Sequence, residues 1–110
     1  MEINLPPSLT QGNVLNHKVT VTTASVQCLP ITRNRMALRF HNPGTVDVFV
    51  CPAFDSTGTA LPAVVNGAGN WLVMAGATID IDAPGGEAWN CIAASSAVLT
   101  ILEYSFFQGA

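Results

Sequence analysis

Nineteen residues, Arg33 to Cys51 (RNRMALRFHNPGTVDVFVC), constrain this chain more than any other stretch. Met36, Leu38 and Phe40 alternate with Ala37, Arg39 and His41, the period-2 pattern of a strand that buries one face. Asn42-Pro43-Gly44 breaks the run, and Val46, Val48 and Val50 restart it. The pattern predicts a hairpin. Pro43 presets φ for the first central position of a type II turn, and Gly44 offers the positive φ needed at the second. A plain two-residue loop would mix the faces, because a slip of one residue inverts every side chain. A three-residue loop or a bulge near Gly44 restores the parity. Phe40–Val46, Leu38–Val48 and Met36–Val50 then share the buried face, and Arg39–Asp47, Ala37–Phe49 and Arg35–Cys51 the other. That second face mixes arginines with Phe49 and Cys51, and reads as a subunit interface with Arg39 and Asp47 paired at its rim.

The remaining chain keeps the same grammar. Lys18 to Val26 (KVTVTTASV) is β-branched and alternating, and reads as one strand that runs on through Gln27-Cys28-Leu29 to Pro30. After Pro52, residues 53–70 form a long irregular connection in which Ala60 to Val65 is an edge strand at best, because of Pro62. Trp71–Met74 and Thr78–Asp82 flank Ala75-Gly76-Ala77 as a second hairpin, with Ile79 and Ile81 inward. Ala88–Ala94 and Ala97–Ser105 flank Ser95-Ser96 as a closing one. No stretch has a helical period, and turns recur every 8 to 12 residues. The expectation is an all-β chain of seven or eight short strands, an antiparallel β-sandwich or jelly roll.

Residues 1–17 differ from the rest: Pro6-Pro7 favours extension, and the polar residues show no period. They read as an extended N-terminal arm to a single domain over residues 18–110, or as a frayed terminus. Only 10% of the 110 residues are charged, against about 25% in an average soluble protein. So little charge points to permanent assembly as a homo-oligomer, dimer or trimer, since obligate interfaces resemble a core cut in half, the alternative being a monomer with a Ser/Thr/Asn-rich surface. The residues named for that interface are Ile3, Leu5, Val14 and Leu15 of the arm, Arg35, Arg39, Asp47 and Phe49 of the hairpin, and Phe106 and Phe107 near the C-terminus. A net charge of −3 speaks against nucleic acid bound through a broad basic surface. No apolar run approaches the roughly 20 residues that span a bilayer, so no membrane partner is expected. The opening residues also lack a signal-peptide pattern.

Little here resembles catalytic machinery, and the chain reads as a non-enzyme without cofactor or metal. There is no G-x-S-x-G, and His17 and His41 stand apart from any nucleophile. Cys28, Cys51 and Cys91 lack zinc or thioredoxin spacing and read as reduced, buried thiols. Asp80, Asp82 and Glu87 are one carboxylate group near a turn, without the loop pattern of a calcium site. They leave a metal-dependent enzyme as the weakest alternative. Trp71, Trp89 and Tyr104 would make a sugar platform if exposed on one face, or core and edge residues otherwise.

Three segments resemble a class of small virion proteins of tailed bacteriophages. RNRMALRFHNPGTVDVFV matches an Arg-rich strand, an Asn-x-Gly turn and a valine-rich strand. LVMAGATIDIDAPGG matches a Gly-centred apolar hairpin, and AWNCIAASSAVLTILEY matches closing strands that end on Glu-aromatic. The likeness spans Arg33 to Tyr104, and the 53–70 connection is longer than in the simplest members. What it implies is a β-sandwich bound to other virion subunits: a capsid decoration or cement protein bridging major capsid subunits, with a receptor- or glycan-binding module of a head fibre or tail fibre as the alternative. The implied location is the virion, assembled in the host cytoplasm, and no catalytic residue carries over.

Overall fold

The computed structural model describes residues 13–32, 35–82 and 85–105. They form eight strands, and no helix occurs among them. In chain order these are β1 (Asn13–Val21), β2 (Val26–Leu29), β3 (Arg35–His41), β4 (Val48–Pro52), β5 (Trp71–Val73), β6 (Thr78–Asp82), β7 (Trp89–Ala93) and β8 (Ala97–Ser105). Two four-stranded sheets result, ordered β1-β8-β3-β6 and β2-β7-β4-β5. All the strand pairs within them are antiparallel. The chain is therefore an all-β sandwich, with the strand order of a jelly roll.

The expected hairpins are not hairpins. β3 and β4 belong to opposite sheets, as do β5 and β6, and β7 and β8. Residues 18–29 are likewise two strands in different sheets rather than one, and the first of them starts at Asn13 instead of Lys18. Only β4 and β5, joined by the long connection, are both consecutive and paired. Alternation explains the error. A strand whose successor folds over onto the facing sheet buries the same face as one whose successor lies alongside.

Corner chemistry carries the chain across. Asn42, wholly buried, replaces the expected type II turn, and Gly44 does not take a positive φ. The Asn42 Oδ1 accepts from Gly44 N at 3.0 Å, while Nδ2 donates to Val46 O at 2.6 Å and Val73 O at 3.0 Å. Its backbone N donates to Ala77 O and its carbonyl accepts from Gly76 N. One side chain thus ties the β3–β4 corner to the β5–β6 corner with each polar group satisfied, as a buried amide requires. At the β1–β2 corner, Ala24 N donates to Thr22 Oγ1 and Ala93 N donates to Thr22 O.

The core lies between the sheets. Leu38, Phe40, Leu99 and Ile101 come from one side, and Val48, Val50, Val73, Trp89 and Cys91 from the other. Phe40 meets Trp89 across the gap with ring centroids 5.4 Å apart, a geometry that adds to the area both rings bury. Met36 departs from its expected inward position and is 40% exposed. The register against β8 shifts between Arg35 and Ala37. Such a bulge inverts parity locally, so Arg35 turns inward and Met36 outward.

Candidate functional site

The outer faces of the two sheets are unlike. On β2-β7-β4-β5 the chain covers itself: Asn90 Nδ2 donates to Leu61 O at 2.7 Å, Leu61 N donates to Ala53 O, and Ala63 N donates to Ser25 Oγ. The 53–70 connection is thereby drawn back onto β7 and the β1–β2 corner, and an Asx turn at Asp55 braces its start. Asp55 Oδ1 accepts from Thr57 N, Thr57 Oγ1 and Thr59 N. Those hydrogen bonds, that of the Thr57 hydroxyl foremost, hold the Asp55 carboxyl below the usual range. Phe49 and Cys51 are buried on this sheet.

The outer face of β1-β8-β3-β6 has no such cover among the described residues. Its side chains form rows across the four strands: Lys18, Thr100, His41 and Thr78, then Asn16, Leu102, Arg39 and Asp80, then Val14, Tyr104, Ala37 and Asp82. Arg39 Nε donates to Asp80 Oδ1 at 2.7 Å and Nη2 to Oδ2 at 3.4 Å, and the two side chains are 48% and 56% exposed. The Asp80 carboxylate raises the Arg39 guanidinium above its ordinary pKa through that hydrogen bond. His41 Nδ1 lies 2.9 Å from Thr78 Oγ1. Three shallow concavities indent this face. One, of about 560 Å³, lies among Lys18, Arg39, His41 and Leu102. Another, of about 570 Å³, borders Pro43–Val46 and Val98, and a third, of about 340 Å³, lies beside Met36, Asp82 and Tyr104. The surface mixes apolar, hydroxyl and paired charged groups.

Inside the opposite parity of the same strands sits a buried ionic cluster. Arg35 Nε donates to Glu103 Oε2 at 2.7 Å, with both side chains at or below 1% exposure. Arg35 Nη2 donates to Pro30 O at 2.9 Å, and Nη1 to the carbonyls of Glu87 and Gly85. His17 Nε2 stands 3.0 Å from Glu103 Oε1. Burial pushes the Glu103 carboxyl up, but hydrogen bonds from Thr32, His17 and Arg35, with the Arg35 charge, outweigh it and leave the group below its usual range. The cluster binds β1, β3 and β8 to the loops before β3 and before β7.

The expected interface residues that the structure describes do not all share one face: Val14 and Arg39 lie on the open face, and the others lie elsewhere. Arg39 lies on one outer face of the sandwich and Phe49 on the other. Arg39 pairs with Asp80, while Asp47 accepts from Ala75 N at 2.9 Å. Phe49 is buried between Leu72 and Ile92 across its sheet, and Arg35 is interior. Val14 and Leu15 are exposed, on β1. Ile3, Leu5, Phe106 and Phe107 lie outside the described residues. Sequence reasoning missed Glu103, whose inward parity with Leu99 and Ile101 was the available signal, and Asn42, which read as turn filler.

No other chemistry gathers. Among the described residues no three His, Cys, Asp or Glu side chains lie close enough to hold a metal ion. The three cysteines are buried and free. The Cys28 thiol is pushed far up by its hydrogen bond with Cys91 and by burial, and burial raises Cys51. Trp89 is buried, whereas Trp71, tilted against it with ring centroids 5.3 Å apart, is 45% exposed.

No protein-family model matches the chain, and no curated protein does. Among solved structures it is similar to one from Bacillus, described under the words "Bacillus endospore appendages form a novel family of disulfide-linked pili". The TM-score is 0.44 at 13% identity, over 96% of this chain and 99% of that one. A likeness that distant says nothing about function.

Proposed function

We propose that this chain is a virion structural protein of a tailed bacteriophage, a capsid decoration or cement protein that binds and bridges major capsid subunits to stabilise the head. One observation carries the reading: among the described residues the sandwich covers one outer face with its own chain and leaves the other, β1-β8-β3-β6, open. A face that mixes apolar and paired polar groups suits docking on a larger assembly. The phage-like pattern of Arg33 to Tyr104 supports the particular assembly, and the low charge supports a homo-oligomer, dimer or trimer. It acts as a structural protein, without cofactor and without nucleic acid or membrane partners. Added to capsids that lack it, the purified protein should bind and raise their melting temperature, and Leu102→Arg on the open face should abolish binding while the variant stays folded. A protein that neither occurs in particles nor binds capsids overturns the reading.

A second reading has its own observation. Trp71 is half exposed beside Asn70, which would suit a glycan- or receptor-binding module of a head or tail fibre. A glycan array on which wild-type protein binds and the W71A variant does not would favour it over the capsid role.

A further inference from the structure

A sandwich of two open sheets has four edge strands, and here three of them are blunted. β2 has four residues and a shifted register between Gln27 and Leu29. β5 has three residues. β6 has five, two of which are Asp80 and Asp82, so self-pairing would crowd carboxylates. Short length, bulges and charge are the usual protections of an edge. β1 has none of them in comparable degree. It runs nine residues without proline, glycine or register shift, and Lys18 is its one formally charged side chain. Among the described residues it pairs with β8 alone. Both sides of this strand also expose apolar groups, Val14 at 51% and Leu15 at 47%.

We propose that β1 pairs edge to edge, antiparallel, with β1 of a second copy of this chain. The occupant follows from length and symmetry. A nine-residue edge is satisfied by a nine-residue strand, and the other strand of that length, β8, is already paired on both sides. A two-fold axis at His17 pairs all nine residues of each strand, and an isologous contact closes on itself instead of growing into a fibre. Leu15 of one copy then faces Val19 of the other, Asn16 faces Lys18, and the two lysines stay out of opposition. The two open faces become one eight-stranded surface, with each copy's concavities repeated across the axis. A bridging protein needs that arrangement: two equivalent docking faces in a fixed relation. The inference rests on the homo-oligomer part of the functional reading and names the surface that makes it.

The test combines sedimentation equilibrium over a micromolar concentration range with amide hydrogen exchange of the full chain. Wild-type protein should be a dimer in which every β1 amide is protected, including the alternate ones that β8 does not bond. Asn16→Lys, at an exposed position, should raise the dimer dissociation constant more than roughly tenfold, because it sets a lysine directly opposite Lys18 of the other copy at two symmetric places. A dimer that persists in Asn16→Lys with alternate β1 amides exchanging freely overturns the β1 contact and leaves the homo-oligomer standing. A wild-type monomer across the range overturns both. The exchange pattern decides the matter even if the variant fails to fold.

Discussion

Arg35 and Arg39 lie four positions apart on β3, and they live in different solvents. Arg35 is sealed at one end of the sandwich, with Glu103, His17 and three backbone carbonyls around it. Arg39 stands in water on the open face, paired with Asp80. Both make a 2.7 Å Nε contact with a carboxylate, so distance does not separate them. Desolvation does. A buried charge has no water to fall back on, and breaking its pair leaves the partner uncompensated. An exposed pair exchanges one set of polar contacts for another of nearly equal worth. The first arginine is part of the fold; the second is free to be part of an interface.

The most direct way to break this comparison is Arg35→Ala, which should cost about 3–5 kcal/mol in urea-induced unfolding by stranding Glu103. The double variant Arg35→Met/Glu103→Leu should recover part of that loss, because buried pairs are often replaceable by apolar groups of similar volume, while the carbonyls of Pro30, Gly85 and Glu87 still lose their donor. If the single variant lost nothing, the cluster would not be a structural knot.

Acid sharpens the same contrast with a smaller effect. The Glu103 carboxyl titrates lower in the folded protein than its ordinary 4.5. The unfolded chain therefore takes up the proton first as pH falls, and the stabilisation present above pH 4.5 declines below it, through the folded-state pKa. Thermal melts should show a midpoint that drops below pH 4.5 in wild type. Glu103→Gln should begin less stable at neutral pH and lose less on acidification. Equal pH slopes would remove Glu103 from the acid response.

Arg39→Ala should produce the smallest change in folding. Its melting midpoint should match wild type, while binding to its assembly partner weakens. A variant that lost stability and kept binding would reverse the roles of the two arginines.

Much of the fold is legible in the residues alone. Alternation places Leu38, Phe40, Val48 and Val50 in the core and Ile79 and Ile81 on inward faces, because period-2 patterning reports burial directly. Less of the candidate site is legible. The pattern marks Arg39 as a carboxylate-paired residue at an interface rim but points to Asp47 where the structure has Asp80, since nothing local distinguishes two carboxylates in different strands. Period-2 patterning puts Arg35 on the interface face with Cys51, whereas a bulge turns it inward, and a bulge leaves no mark in a sequence of this kind.

The chain's own residues determine that it is all-β, where most of its strands run and which side of each is greasy. They act through local sterics and water. Which strands become neighbours was decided only in three dimensions. RMALRFHNPGTVDVFVC buries its apolar positions equally well as a hairpin or as two walls of a sandwich. The choice turns on partners far away in sequence: β8 and β6 beside β3, β7 and β5 beside β4. The Asn42 amide then clamps the crossing to Val73, 31 residues on. Such long-range pairings compete on total burial and on satisfied hydrogen bonds, terms that no single stretch of sequence contains.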